Sequence, residues 1–222
     1  MNPVEAQLAL SLLDAGAIKF GEFRLKLHEK NPDAPLSPIY LNLRTSDNPK
    51  PGPLTPEIVD TVGQCMYWLT GMYSAPDGTD EPYDFAAGVP NAGDPFAARF
   101  AHYKGLSVLK LKKTENAEGR AVTGIHSGPY KPGGNVALID DLITQADSKL
   151  EAIKVLESQG LRVKDVIVLV DREQGGKEQL AKFGYILHSV FTLRQLLDLY
   201  VEEGRLEASK RDEVQAYLAA NS

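Results

Sequence analysis

A chain of 222 residues, 43% of them hydrophobic, has the apolar material for one domain of ordinary size with a small appendage, which excludes disorder as its ground state. A net charge of −6 argues against a general nucleic-acid binder, which needs a basic face. No apolar run nears the roughly 20 residues of a membrane span, and a single cysteine, Cys65, excludes an intrachain disulfide framework.

Cys65 lies among Met66, Trp68 and Leu69 and reads as a small buried core residue. The N-terminal residues lack a basic stretch followed by an apolar core, so no secretory signal is expected. The expected location is the cytoplasm, with neither membrane nor nucleic acid as partner.

In chain order, residues 4–16 read as a helix with Val4, Leu8, Leu12 and Leu13 on one side. Ile18, Phe20, Phe23 and Leu25 alternate within a strand or bent pair over 18–27. His28 to Leu36, polar with two prolines, is a loop, and Pro38 to Leu43 a short strand. Three prolines and a glycine between Asn48 and Pro53 make a connection. Thr55 then caps a helix that starts at Pro56 and runs to about Met72. Short apolar strands follow at 84–88, 107–111, 136–140, 165–170 and 185–190, with helices at 93–104, 148–159 and 176–183. Leu193, Leu196, Leu197, Tyr200 and Val201 mark one face of a C-terminal helix. Alternation of this kind implies an α/β fold, a mostly parallel sheet flanked by helices. Ligands of such sheets bind beyond the carboxyl ends of the strands, which directs attention to the loops after Gly88, Asp140 and Val170.

Val136 to Lys149 is the most informative segment. Four apolar residues form a buried strand; Asp140 and Asp141 follow, then a short loop, then a helix with Leu150, Ile153 and Leu156 facing inward and Asp147 or Ser148 as its cap. Amides at a helix start attract phosphate, and Thr144 and Ser148 add hydroxyl donors. Paired carboxylates can accept from ribose hydroxyls or hold Mg²⁺ through water. Without further context, an acid pair that solvates a turn and caps a helix is an open alternative.

The segment resembles the diphosphate-sugar motif of the type I phosphoribosyltransferases: apolar strand, two acids, two residues, threonine, small-residue loop. The other stretches narrow the resemblance to orotate phosphoribosyltransferase, as fused in uridine monophosphate synthase. Ala15 to Lys26 resembles its N-terminal strand pair, with Lys26 on the lysine that reaches the active site. Ser37 to Arg44 resembles the next strand, with Tyr40 at the aromatic position near orotate. Val170 to Lys177 resembles the loop whose arginine, here Arg172, contacts orotate. The turn from Ala87 to Pro95 resembles the diphosphate turn, with the amides of Asn91, Ala92 and Gly93 toward the leaving group.

What the resemblance implies is a type I phosphoribosyltransferase fold over 1–222 as a single domain, with a hood from about 1–45 and C-terminal helices from about 192–222. It implies transfer of a phosphoribosyl group from 5-phosphoribosyl 1-diphosphate to orotate with Mg²⁺, in a homodimer. Asp140, Asp141 and Lys113 would carry catalysis, and the acids would face the metal through water or substrate. Lys112 would face the diphosphate beside Lys113; Thr144, Gln145, Ala146, Asp147 and Ser148 would hold the 5′-phosphate; Lys26, Tyr40 and Arg172 would hold the base. An arginine fork suits a planar anion.

Two positions depart from the family pattern. Lys112 to Arg120 matches a mobile basic loop, but Asn116 falls where the loop lysine is expected and Glu118 where an aromatic or histidine is expected. Asp147 puts a negative charge into the phosphate loop. These keep open a weakened nucleotide-binding or regulatory relative, and transfer to a different heterocyclic base.

Overall fold

The computed structural model describes residues 1–24, 28, 31–72, 82–116 and 119–221. Helix α1 (Pro3–Asp14) starts at a capping box, in which the Glu5 amide donates to Asn2 Oδ1 at 2.9 Å and the Asn2 amide to Glu5 Oε2 at 2.8 Å. Strands β1 (Ile18–Phe23) and β2 (Ser37–Leu41) pair antiparallel as a separate two-stranded sheet. Helix α2 (Pro56–Met72) begins where expected, the Ile58 amide donating to Thr55 Oγ1 at 3.4 Å.

The central sheet is built from β3 (Phe85–Gly88), β4 (Ser107–Asn116), β5 (Gly119–Ser127), β6 (Asn135–Ile143), β7 (Arg162–Asp171) and β8 (Ile186–Thr192), in the order β5-β4-β3-β6-β7-β8. All its pairings are parallel except β4 with β5. Helices α3 (Asp94–Lys104), α4 (Asp147–Ser158) and α5 (Gly176–Lys182) are the crossovers, and α6 (Leu193–Glu202) and α7 (Ala208–Ala220) complete the chain.

The apolar strands are buried on both faces, as parallel strands between helices are. Ala86, Ala137, Ile139, Ile167 and Leu169 face a core shared with α1, α2, α3, α6 and α7. Ala87, Leu138, Val166 and Val168 face the opposite core with Ile153 and Leu156 of α4 and Leu180 of α5. Cys65 is buried in the first core, where desolvation pushes its thiol up to about 12. Tyr200, fully buried, donates its hydroxyl to the Ala9 carbonyl at 2.8 Å and fastens α6 to α1. Among the described residues no helix is long and apolar enough to cross a membrane.

The largest correction concerns residues 112–120. The sequence reading ends the strand at 111 and opens a basic loop; instead β4 continues to Asn116 and pairs antiparallel with β5, Lys113 opposite Val122 and Asn116 opposite Gly119. Leu109 and Leu111 are buried while Lys110 and Lys112 are exposed. That is the period-2 alternation of a half-solvated strand, and the run of lysines concealed it. Ala117 and Glu118 lie outside the described residues.

Candidate functional site

The site is assembled at the carboxyl ends of β3, β6 and β7. Strand β6 runs three residues past Asp140, so the acid pair lies within its last turn of ladder rather than beyond it, and the loop proper is Thr144–Ala146. Backbone contacts draw the neighbouring loops onto this point. The Val89 amide donates to the Ile139 carbonyl at 2.8 Å, and the Arg172 amide to the Ile143 carbonyl at 3.0 Å. Gly93 sits so close that a Cβ there would lie 2.3 Å from the Ile139 carbonyl oxygen, and a Cβ on Gly176 would lie 2.5 Å from Ile143 Cγ1 and 2.9 Å from the Thr144 carbonyl oxygen. Only glycine permits these approaches.

The acid pair is tightly organised. Asp140 Oδ1 accepts from the Asp141 amide at 2.9 Å, and Asp140 Oδ2 accepts from Lys149 Nζ at 2.7 Å. Lys149 Nζ also donates to the Leu142 carbonyl at 2.5 Å, and the Leu142 amide donates to Asp141 Oδ1 at 2.8 Å. Burial pushes the Asp141 carboxyl well above the usual carboxylate range; the adjacent Asp140 charge adds to this and the Lys149 ammonium opposes it.

The turn after β3 contributes Asn91, Ala92 and Gly93, behind a cis Pro90–Asn91 peptide bond. Lys113 Nζ donates to the Pro90 carbonyl at 3.0 Å, which brings the expected cation to the expected turn. Asp94, the first residue of α3, is pushed up to about 6: burial raises it, Lys110 lowers it, Asp140 raises it and Lys113 lowers it. Asp94 therefore shares one electrostatic neighbourhood with the acid pair and the β4 lysines.

The loop expected to hold a phosphate departs from expectation in its capping. Neither Asp147 nor Ser148 is the N-cap of α4; that position is Ala146, which makes no side-chain cap hydrogen bond. The loop turns sharply enough that the helix has already begun at Asp147, whose charge lies in the first turn, where the helix dipole favours it. Gln179 of α5 serves both neighbours: its Oε1 accepts from the Ala146 amide at 2.6 Å and its Nε2 donates to Asp147 Oδ1 at 3.1 Å. Thr144 and Ser148 are half-buried and Gln145 is exposed at the mouth of the loop.

The residues expected to hold a base are less concentrated. Arg172 follows β7 as expected, and its guanidinium borders a cavity of about 240 Å³ with Glu173, Arg194, Leu197 and Gln215. Its Nε is buried with no partner among the described residues, and desolvation lowers its pKa. Glu173 stands in the left-handed region at φ 57°; its amide donates to Asp171 Oδ1 at 2.8 Å and its Oε2 accepts from the Arg194 amide at 3.2 Å. Tyr40 lies on β2 opposite Lys19, its ring 5.6 Å from that of Phe23, in the N-terminal sheet. Lys112 is exposed opposite Gly124 of β5. Lys26 lies outside the described residues.

Two residues escaped the sequence reading. Lys149 had a visible signal, since it stands in register with Ala152, Ile153 and Leu156 on the buried stripe of α4, beside Leu150, which packs against the same core as expected. Gln179 had none, because its role depends on α5 docking beside a loop 33 residues earlier.

Magnesium suits this arrangement only indirectly. Both Asp140 oxygens are engaged, one by an ammonium, and among the described residues no three His, Cys, Asp or Glu side chains gather to hold a metal ion. A directly ligated ion does not fit the donor set, because hard divalent cations take about six or more oxygen ligands.

No family model matches the chain. It does match the structure of the Leishmania donovani UMP synthase at 30% identity and a TM-score of 0.75, over 97% of this chain and 42% of that one. The orotate phosphoribosyltransferase of Aeropyrum pernix superposes with a TM-score of 0.69 at 26% identity, over 90% of this chain and 99% of its own. The chain has the type I phosphoribosyltransferase fold.

The bovine uridine 5′-monophosphate synthase is similar too, 29% identical over 215 residues that make up 97% of this chain and 41% of that protein. The chain spans about two-fifths of the length of the synthases it matches. The expected α/β class and the resemblance to orotate phosphoribosyltransferases therefore hold along nearly the whole transferase fold, from the N-terminal strand pair to the C-terminal helices.

Proposed function

We propose that the chain transfers a phosphoribosyl group from 5-phosphoribosyl 1-diphosphate to orotate, giving orotidine 5′-monophosphate and diphosphate. The observation that carries this reading is the convergence of three loops on one strand end: the acid pair Asp140–Asp141, the loop Thr144–Ser148 at the start of α4, and the turn Asn91–Gly93 with Lys113 bonded to it. A diol needs acceptors, a phosphate needs amides and a diphosphate needs a cation, and the three loops offer these together.

In this reading the ring nitrogen of orotate forms the new bond to the anomeric carbon as the bond to the diphosphate oxygen breaks; the electron pair of that bond leaves with diphosphate, and the proton of the nitrogen passes to the departing diphosphate or to solvent. Charge grows on the leaving group, and preorganised donors aimed at it stabilise the transition state. Asn91 and Ala92 offer amides there and Lys113 an ammonium, with Lys112 near the same edge; the Gly93 amide, expected to join them, is instead committed to the Val89 carbonyl at 2.9 Å. Asp140 and Asp141 orient the sugar hydroxyls, and Thr144, Gln145, Ala146, Asp147 and Ser148 surround the 5′-phosphate. Arg172, Tyr40 and Lys26 are assigned to the base. Mg²⁺ is proposed to arrive on the diphosphate, neutralising it, rather than to be held by the acid pair. A single domain, a homodimer and a cytoplasmic location belong to the same proposal.

The test is direct. Purified protein with orotate, the sugar diphosphate and Mg²⁺ depletes orotate absorbance. No turnover of orotate together with turnover of another base in a panel sinks the substrate assignment. A second reading, a nucleotide sensor descended from the enzyme, is favoured by one observation: the Ala146 amide of the phosphate loop is already taken by Gln179. Nucleotide binding by calorimetry without turnover, unimproved by Asn116→Lys, supports the sensor; a clear rate gain in Asn116→Lys supports the enzyme.

A further inference from the structure

Lys149 is 4% exposed and lies on the inward stripe of α4, a place that Ala152, Ile153 and Leu156 fill with apolar groups. An ammonium is rarely buried unless it is paired. Here it meets two acceptors from one strand, Asp140 Oδ2 at 2.7 Å and the Leu142 carbonyl at 2.5 Å. These contacts bracket Asp141 and fix the turn of chain that carries both acids. Asp140, itself 3% exposed, spends its other oxygen on the Asp141 amide. Each carboxylate oxygen has two lone pairs, so Asp140 keeps acceptor capacity for a ligand hydroxyl while its orientation is set from behind.

We infer that Lys149 is a positioning residue of the sugar site, a resident cation that aims Asp140 and stands where a divalent ion would otherwise neutralise the acid pair. The inference rests on the reading of Asp140 and Asp141 as the sugar-binding acids. It also explains why the donor set around them does not suit a directly ligated metal: the charge such an ion brings is already supplied by the chain. An ammonium with three donors can meet the Asp140 carboxylate and the Leu142 carbonyl at once.

Mn²⁺ binding to the whole protein without substrate, followed by the paramagnetic signal of free Mn²⁺, tests the inference independently of turnover. Lys149→Met keeps volume and removes charge, and is expected to bind Mn²⁺ at least about tenfold more tightly than wild type; Lys149→Arg, which keeps the charge, is expected to stay near wild type. Equal Mn²⁺ affinity in Lys149→Met and wild type overturns the inference, as does tighter binding in both variants. Should Lys149→Met not fold, Lys149→Gln, which keeps a donor for the Leu142 carbonyl, takes its place.

Calorimetry with 5-phosphoribosyl 1-diphosphate gives the second arm. Wild type is expected to bind it in EDTA within about tenfold of its affinity in Mg²⁺, and Lys149→Met to lose metal-free binding and regain it in Mg²⁺. A merely structural lysine gives a loss that Mg²⁺ does not rescue. If wild type binds the sugar diphosphate under neither condition, the proposed function fails, while the Mn²⁺ comparison still decides the role of Lys149.

Discussion

Lys113 Nζ donates to the Pro90 carbonyl at 3.0 Å, joining the middle of β4 to the turn after β3. The contact fixes a positive charge beside the amides of Asn91 and Ala92 without committing its remaining protons. An ammonium has three donors, so two stay available for a diphosphate.

Lys113→Ala is therefore expected to lower kcat/KM for the sugar diphosphate by roughly 10²–10³, about 2.7–4 kcal/mol of transition-state stabilisation. Lys112→Ala, at an exposed position opposite Gly124, is expected to lower it far less. Steady-state kinetics of the two variants side by side checks this. Equal losses would mean that the contact with Pro90 does not single out Lys113.

Asp94 makes the fold sensitive to pH. Its carboxyl is pushed up from 3.8 to about 6, chiefly by burial. A raised pKa stabilises the protonated form in the fold, so the contribution is fully present below about 4 and is lost as pH rises through 6. Asp94→Asn should gain stability over wild type progressively between about pH 4 and 6 and hold the gain above. On linkage grounds the gain is on the order of 3 kcal/mol. Urea denaturation from pH 4 to 8 measures it, and a gain that is flat with pH would remove Asp94 as the cause.

Asp147 places its charge in the loop proposed for the 5′-phosphate, tied to Gln179 at 3.1 Å. Asp147→Ser removes that charge and keeps a hydroxyl. Affinity for orotidine 5′-monophosphate is expected to rise by about tenfold, the size of a like-charge repulsion of about 1 kcal/mol or slightly more near the surface. Calorimetry reads it directly, and unchanged affinity would show that Gln179 already turns the carboxylate away from the ligand.

Gly93→Ala drives a methyl into the Ile139 carbonyl. Overpacking of this kind costs typically 1–3 kcal/mol, and the turn must shift to absorb it. A drop of that size in the unfolding free energy from urea titration, with a larger loss of sugar-diphosphate binding, is expected. Full retention of binding would separate the turn from the ligand.

The sheet was legible because its strands are apolar runs bounded by glycine and polar residues, and Val136 to Ile139 could hardly be anything else. The β4–β5 hairpin was hidden because lysines on a solvated face break up an apolar run without breaking the strand. The acid pair was legible as chemistry, but its partner was not: recognising Lys149 required treating a lysine on a buried stripe as information rather than as an error in register. The Gln179 contacts were beyond reach, since they follow from how α5 docks beside Ala146 and Asp147 and from no local pattern.

The left-handed residue Glu173 has a consequence for Arg172 beside it. A side chain leaves its backbone in a direction dictated by the torsions around it, and here those torsions are held by the Asp171 carboxylate on one side and the Arg194 amide on the other. The bearing of the guanidinium is thus steered by residues that need never meet the base. If Arg172 meets the base as proposed, a change at 171 or 173 that breaks these contacts is expected to swing it like a needle on a pivot, altering which heterocycle it greets without touching a single contact atom.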